Sequence, residues 1–156
     1  MTIEQTRLVR RSFLLLADVA PETVGRVFYH RLFEVAPEVR PLFSRTPLPE
    51  QSVKLMTMLT YVVSRLNNLD RIVQDVTALA RRHERYGVQE HHYAYVGQAL
   101  LWTLEQALTS NWMPDVRDAW TACYTLLAET MMAATRPAIA STHPSESYPI
   151  SYAPGY

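Results

Sequence analysis

The sequence predicts an all-α domain of about six or seven helices, and three observations carry that expectation. Apolar residues recur at steps of three and four along most of the chain, which is the spacing of one buried helix face. No stretch alternates apolar and polar residues as a strand would, and glycine is scarce, with 4 in 156 residues. Pro21, Pro37, Pro49 and Pro114 fall at the borders of the periodic stretches, where a proline opens or stops a helix without breaking it.

The first helix is expected from Ile3 to Ala17. Thr2 and Gln5 are spaced as a capping box, in which each side chain satisfies a free N–H of the other's backbone. Leu8, Phe13 and Leu16 give that helix its apolar side. Arg10, Arg11 and the apolar residues after them resemble a twin-arginine export signal. The apolar run breaks at Asp18, short of the roughly 7–15 residues of an export core. The segment is therefore read as a helix of the fold, and the protein is expected to be cytoplasmic.

Pro21 opens the second helix, which carries Val24, Phe28, Tyr29, Leu32 and Phe33 and ends before Pro37. Pro37 to Phe43 has room for only a turn or two, and Ser44 to Pro49 reads as a loop. From Glu50 the pattern is helical again, with Gln51, Leu55, Met58 and Val62 on one face and Leu59 and Leu66 beside it. Asn67 and Asn68 break that helix, and Asp70 is placed to cap the next. Ile72, Val76, Leu79 and His83 then share a face, and Gly87 supplies the left-handed residue that ends the helix. Tyr93, Val96, Leu100, Leu104 and Leu108 form a further stripe. The last helix starts at Pro114 and carries Val116, Trp120, Cys123, Leu127 and Met131. A globular domain is expected over residues 1–136. Residues 137–156, rich in proline and serine and nearly uncharged, are expected to be a disordered tail.

Composition narrows function mainly by exclusion. Fifteen basic and 15 acidic residues balance to a net charge of zero, so no excess of positive charge argues for nucleic acid or an anionic membrane. No apolar run is long enough to span a bilayer. The one cysteine, Cys123, cannot form an internal disulfide, and it reads as a small core residue in a reducing compartment. No His or Cys spacing matches a zinc site. His83 is the histidine that stands out, because it sits on an apolar face in the last turn of its helix. Most such residues are hydrogen-bonded core histidines. His30, His91, His92 and His143 attract no comparable argument, although one of the pair at 91 and 92 is placed to hydrogen-bond beside that helix end.

The text around His83, RRHERYGVQEHHYAYVGQALL, resembles the proximal segment of single-domain bacterial globins and of the globin part of flavohaemoglobins. The resemblance runs from about Thr6 to Thr135 through FYHRLFEVAPEVRPLF, QSVKLM, RRHERYGV, HHYAYVGQALL and AW, in that order. It implies a globin fold around one haem b (iron protoporphyrin IX), with His83 as the axial ligand of the iron. It further implies that Phe43 packs on the haem face and that Val88, Tyr93 and Val96 line the proximal side. Tyr29, Gln51 and Leu55 become the distal residues, with the Tyr29 hydroxyl and Gln51 amide as donors to a bound diatomic ligand. Lys54 is placed at the rim, near a haem propionate. One position departs from the flavohaemoglobin pattern. Thr135 stands where an acidic residue bonds the proximal histidine and the tyrosine here numbered Tyr93, so less electron push toward O–O chemistry is expected.

The function this implies is reversible binding of dioxygen and of other diatomic ligands such as nitric oxide and carbon monoxide. Catalysis would be nitric oxide dioxygenation, with Tyr29 and Gln51 as catalytic residues and a separate NAD(P)H-dependent reductase as partner. Oxygen storage, delivery or gas sensing without turnover is the alternative, and a haem-free helical interaction domain is a third. A monomer or weak homodimer is expected.

Overall fold

A computed structural model describes residues 1–137; the expectation of a disordered tail falls almost wholly outside them. Among the described residues there are six α-helices: α1 (Ile3–Leu14), α2 (Pro21–Val35), α3 (Leu48–Ser64), α4 (Val73–Arg85), α5 (His92–Leu108) and α6 (Pro114–Thr135). Short 3-10 turns at Pro37–Phe43, Leu66–Arg71 and Thr109–Asn111 connect them.

The boundaries depart from expectation in three places. Helix α1 stops at Leu14 and passes into turns, which leaves Leu14 and Leu15 exposed. The expected loop at Ser44 to Pro49 is one-third helix, because Leu48 and Pro49 already form the first turn of α3, where a proline lacks nothing the helix needs. Asp70 does not cap α4; it lies inside the preceding 3-10 turn, and Ile72 takes the cap position with no side-chain bond.

Three close contacts set the arrangement. The buried Trp120 indole N–H donates to the Ser12 hydroxyl at 2.9 Å with the Phe13 ring 6.1 Å from it, and this pins α6 to α1. Gly25 and Ser52 bring α2 and α3 together so tightly that a Cβ at Gly25 would lie 2.1 Å from the Ser52 Cβ. Gly97 does the same for α5 and α6, with Tyr124 Cε1 2.6 Å from where its Cβ would be.

Arg10 explains the arginine pair at the N-terminus. Its guanidinium donates to the carbonyls of Val63 at 3.2 Å and Ser64 at 3.0 Å, satisfying orphan acceptors at the end of α3. Arg10→Ala is expected to destabilise the fold by about 1.5 kcal/mol, the low end for a charged hydrogen bond because the group stays partly exposed. A urea titration checks this: the midpoint should fall with an unchanged slope.

The core divides in two. A large cluster joins α1, α2, α3, α5 and the start of α6, while Ile72, Val76, Ala80 and Met131 form a separate one between α4 and α6. Helix α3 packs on α2, and α4 packs on α6, but α3 and α4 have no comparable contact with each other. They are tied where α4 begins by a short hydrogen bond from the Tyr61 hydroxyl to Asp75.

Candidate cofactor site

Helix α4 carries His83 in its last turn. Ile72, Val76 and Ala80 are buried on the same side of the helix, and His83 is half-buried at its end. The ring is fixed by its own helix, with Nδ1 2.8 Å from the Leu79 carbonyl. A carbonyl can only accept, so Nδ1 carries the proton and Nε2 keeps its lone pair. Burial holds the imidazole below the usual histidine range, which the Leu79 bond only partly offsets.

The helix end itself is closed by a glycine turn. The Val88 N–H donates to the His83 carbonyl and the Gly87 N–H to the Glu84 carbonyl, both at 3.0 Å. Gly87 has φ +95°, a conformation that a side chain disfavours. The helix runs two residues past His83, to Arg85, because this pair of bonds spans that last turn.

Helices α2 and α3 bring Tyr29 and Gln51 together near Phe43, and Leu55 packs against the same large core cluster. Gly25, Tyr29 and Phe33 are spaced four apart on α2 and form one ridge. The close approach of Gly25 to Ser52 therefore sets Tyr29 beside Gln51, the neighbour of Ser52 in sequence. Tyr29 is 3% exposed. Its ring lies edge-on to Phe43 at 5.1 Å and 6.1 Å from Phe33. Burial pushes its hydroxyl up to about 12, with the Gln51 amide pulling the other way. The two side chains are neighbours without forming a hydrogen bond of standard geometry. At neutral pH the hydroxyl is a protonated donor.

Phe43, Gln51, Leu55, Val88, Tyr93 and Val96 are all half-buried. Lys54 is exposed and pairs with Glu50 at 3.8 Å, so it is at the surface. Tyr93 accepts at its carbonyl from the Tyr124 hydroxyl, and burial raises its own phenol above the ordinary range. The Thr135 hydroxyl donates back to the Met132 carbonyl of its own helix. It lines a cavity of about 450 Å³ with Glu84, Val88, Glu90 and Arg136, so no carboxylate is contributed from that position. The buried His92 ring accepts from the Gln89 N–H at 3.0 Å. His30 is exposed beside Glu34.

Ser52, Gly25 and Phe33 are the site residues that the sequence reading missed. A detectable signal existed: small residues face inward on two consecutive helices, and Phe33 lies four residues after Tyr29. Tyr61 and Asp75 had no such signal.

The donor set fits haem. Among the described residues no group of three or more His, Cys, Asp and Glu side chains is placed to hold a bare metal ion. A single neutral imidazole is sufficient only for a metal that arrives with its other ligands. Half-buried aromatic and aliphatic side chains such as Phe43, Leu55, Tyr93 and Val96 are of the kind that suits a flat apolar macrocycle.

Comparisons with known proteins agree. The Globin family model matches residues 26–131. A flavohemoprotein of Vibrio cholerae serotype O1 is 29% identical over 134 residues, which cover 85% of this chain and 34% of that protein. The chain thus spans about a third of that relative's length. Neuroglobin-1 of Oncorhynchus mykiss is 28% identical over 145 residues, 84% of this chain and 90% of that one. The structure of a bacterial globin from Campylobacter jejuni superposes with a TM-score of 0.74 at 26% identity, covering 85% of this chain and 95% of that one. No helix among the described residues is long and apolar enough to cross a membrane.

Proposed function

The chain belongs to the globin family, and from that premise we propose that it holds one haem b through His83, binds dioxygen and other diatomic ligands reversibly, and removes nitric oxide when supplied with electrons. When bound, haem supplies a ferrous iron that takes a diatomic ligand and lets nitric oxide and dioxygen combine to nitrate, at one electron per turnover. The protein's part is to hold, orient and protect. The observation that carries the reading is the pairing of one imidazole, tied at Nδ1 to Leu79 with Nε2 free, with a buried, protonated Tyr29 beside Gln51.

His83 would hold the iron from α4. Phe43, Leu55, Val88, Tyr93 and Val96 would enclose the ring, and the exposed Lys54 would meet a propionate at the rim. Tyr29 and Gln51 would donate to a ligand that gathers negative charge, and burial keeps that donor out of competition with water. The electron has to come from a reductase outside the globin fold. The hydroxyl of Thr135 is engaged within its own helix, and this favours ligand binding over peroxidase-like chemistry. Oxygen supply or sensing without turnover is the reading that remains if no nitrate forms.

Tyr29→Phe tests the distal half. A hydrogen bond to a charged group is worth about 1.5–3 kcal/mol, so dioxygen should dissociate about 10- to 150-fold faster, with association little changed. Carbon monoxide gathers less charge and should respond far less. Stopped-flow displacement measures both rates; equal effects on the two gases would assign Tyr29 a steric role, and no effect would remove it from the pocket.

A further inference from the structure

The exposed face of α4 concentrates positive charge on a chain whose net charge is zero. Arg81, Arg82 and Arg85 are all exposed. At 100° per residue Arg81 and Arg85 fall opposite the side that carries Ile72, Val76 and His83, and Arg82 lies on the flank next to Arg85. Tyr86, the residue that caps the helix, is 64% exposed. None of the three arginines has a salt bridge among the described residues, and neither have Arg10, Arg11, Arg26, Arg40, Arg45, Arg65 and Arg71; Arg81, Arg82 and Arg85 are grouped within five residues of α4. Asp75, two turns before Arg82, keeps its negative charge and accepts from the Tyr61 hydroxyl. Glu84 is the one acid between Arg81 and Tyr86, so this short segment keeps an excess of positive charge.

We infer that the outer face of α4 is the docking surface for an acidic one-electron carrier protein of the flavin or iron–sulfur class. This rests on the nitric oxide reading, which demands one electron per turnover: the carrier is oxidised by one electron as ferric iron returns to ferrous. The surface lies one helix thickness, about 10 Å, from the side chain that would hold the iron, so a carrier seated there faces the site from its proximal side. Charge number favours this occupant over others. A site for nucleic acid neutralises about 6–10 phosphates, and a polybasic membrane segment uses about 4–8 Lys and Arg. Three guanidiniums flanked by Glu84 suit a small acidic protein face, where opposite charge mainly raises the association rate. Arginines in the last turn of a helix also complement its dipole, but that role needs no partner and leaves no trace in binding.

The test uses the haem-loaded full chain and a [2Fe–2S] ferredoxin of net negative charge. Binding of the oxidised ferredoxin is followed by fluorescence anisotropy at about 0.01 M salt, where the Debye length is about 30 Å, and again at about 0.15 M, where it is about 8 Å. The R81Q/R82Q/R85Q variant should bind about tenfold or more weakly at low salt and lose most of its salt dependence. An R11Q/R26Q/R117Q variant, which removes the same charge from α1, α2 and α6, should stay within about twofold of wild type. Flash reduction by reduced ferredoxin should follow the same order. Reduction by the uncharged 5-deazariboflavin radical should be equal in all three, which shows the site intact. Equal weakening in both variants would overturn the proposal, because net charge alone would then explain it. So would unchanged binding in the α4 variant, or wild-type binding to phosphatidylserine-rich vesicles or RNA in place of ferredoxin. Failure to convert nitric oxide to nitrate would remove the dioxygenase reading and leave the binding titration standing as a separate result.

Discussion

Replacing His83 with alanine is expected to lower haem affinity by more than about 100-fold. Outer partners of a metal ligand are worth about 10- to 100-fold, and the ligand itself should exceed them. Alanine suits a helix better than histidine does. The turn that closes α4 uses the backbone of residues 83, 84, 87 and 88, which the substitution leaves in place. The variant should therefore fold and fail to retain haem, and free imidazole should restore part of the binding. A Soret titration of the apoprotein measures this, with far-UV circular dichroism as the control. Normal haem content with an unchanged spectrum would take His83 out of the site. Acid should mimic the substitution. Burial lowers the folded-state pKa of His83 below 6.5, so on acidification the unfolded chain protonates first. The stability due to the neutral imidazole is whole above about pH 6.5. It falls as pH drops toward the lowered value, and haem should be released in that direction.

Gly25→Ala should be the most damaging single methyl group that can be added to α2. Its Cβ would lie 2.1 Å from the Ser52 Cβ and 2.6 Å from the Ser52 Cα, against a normal carbon contact of about 3.5–4.0 Å. The far side of this clash is helix backbone and the root of a fully buried side chain, so nothing flexible can yield. Alanine gains about 1 kcal/mol of helix propensity over glycine, while overpacking at an unyielding contact costs about 3 kcal/mol or more. The net expectation is a loss of about 2 kcal/mol, with α2 and α3 forced apart. Tyr29 and Gln51 separate with them, so dioxygen should also dissociate faster in the variant. The double variant Gly25→Ala/Ser52→Gly removes the 2.1 Å contact but leaves the 2.6 Å one to the Cα of residue 52, so it should recover only part of both losses. Thermal unfolding and dioxygen off-rates measured together decide it. Stability unchanged by Gly25→Ala would show that the crossing is looser than described.

Periodicity and end signals made most of the helices legible from the chain alone. Thr2 and Gln5 form the capping box that their spacing predicts, Pro114 opens α6, and Gly87 ends α4 in the left-handed conformation. These signals are local: a cap, a proline or a positive φ acts within a few residues, so sequence contains the whole cause. The placement of His83 on the apolar face of α4 was legible for the same reason, since one helix fixes which residues share its face. Asp70 shows where local logic stops, because a 3-10 turn at Leu66–Arg71 competed for the same backbone and took it.

Tertiary packing alone decided the rest. Arg10 reads as an export motif or a solvated charge until α1 and α3 meet and it caps Val63 and Ser64. Tyr29 and Gln51 become neighbours only because Gly25 and Ser52 let two helices cross almost without a gap. The division of the core, with α3 on α2 and α4 on α6, is likewise invisible in any single apolar stripe. A stripe specifies that a face must be buried and leaves open which face covers it; steric fit between small residues far apart in the chain makes that choice.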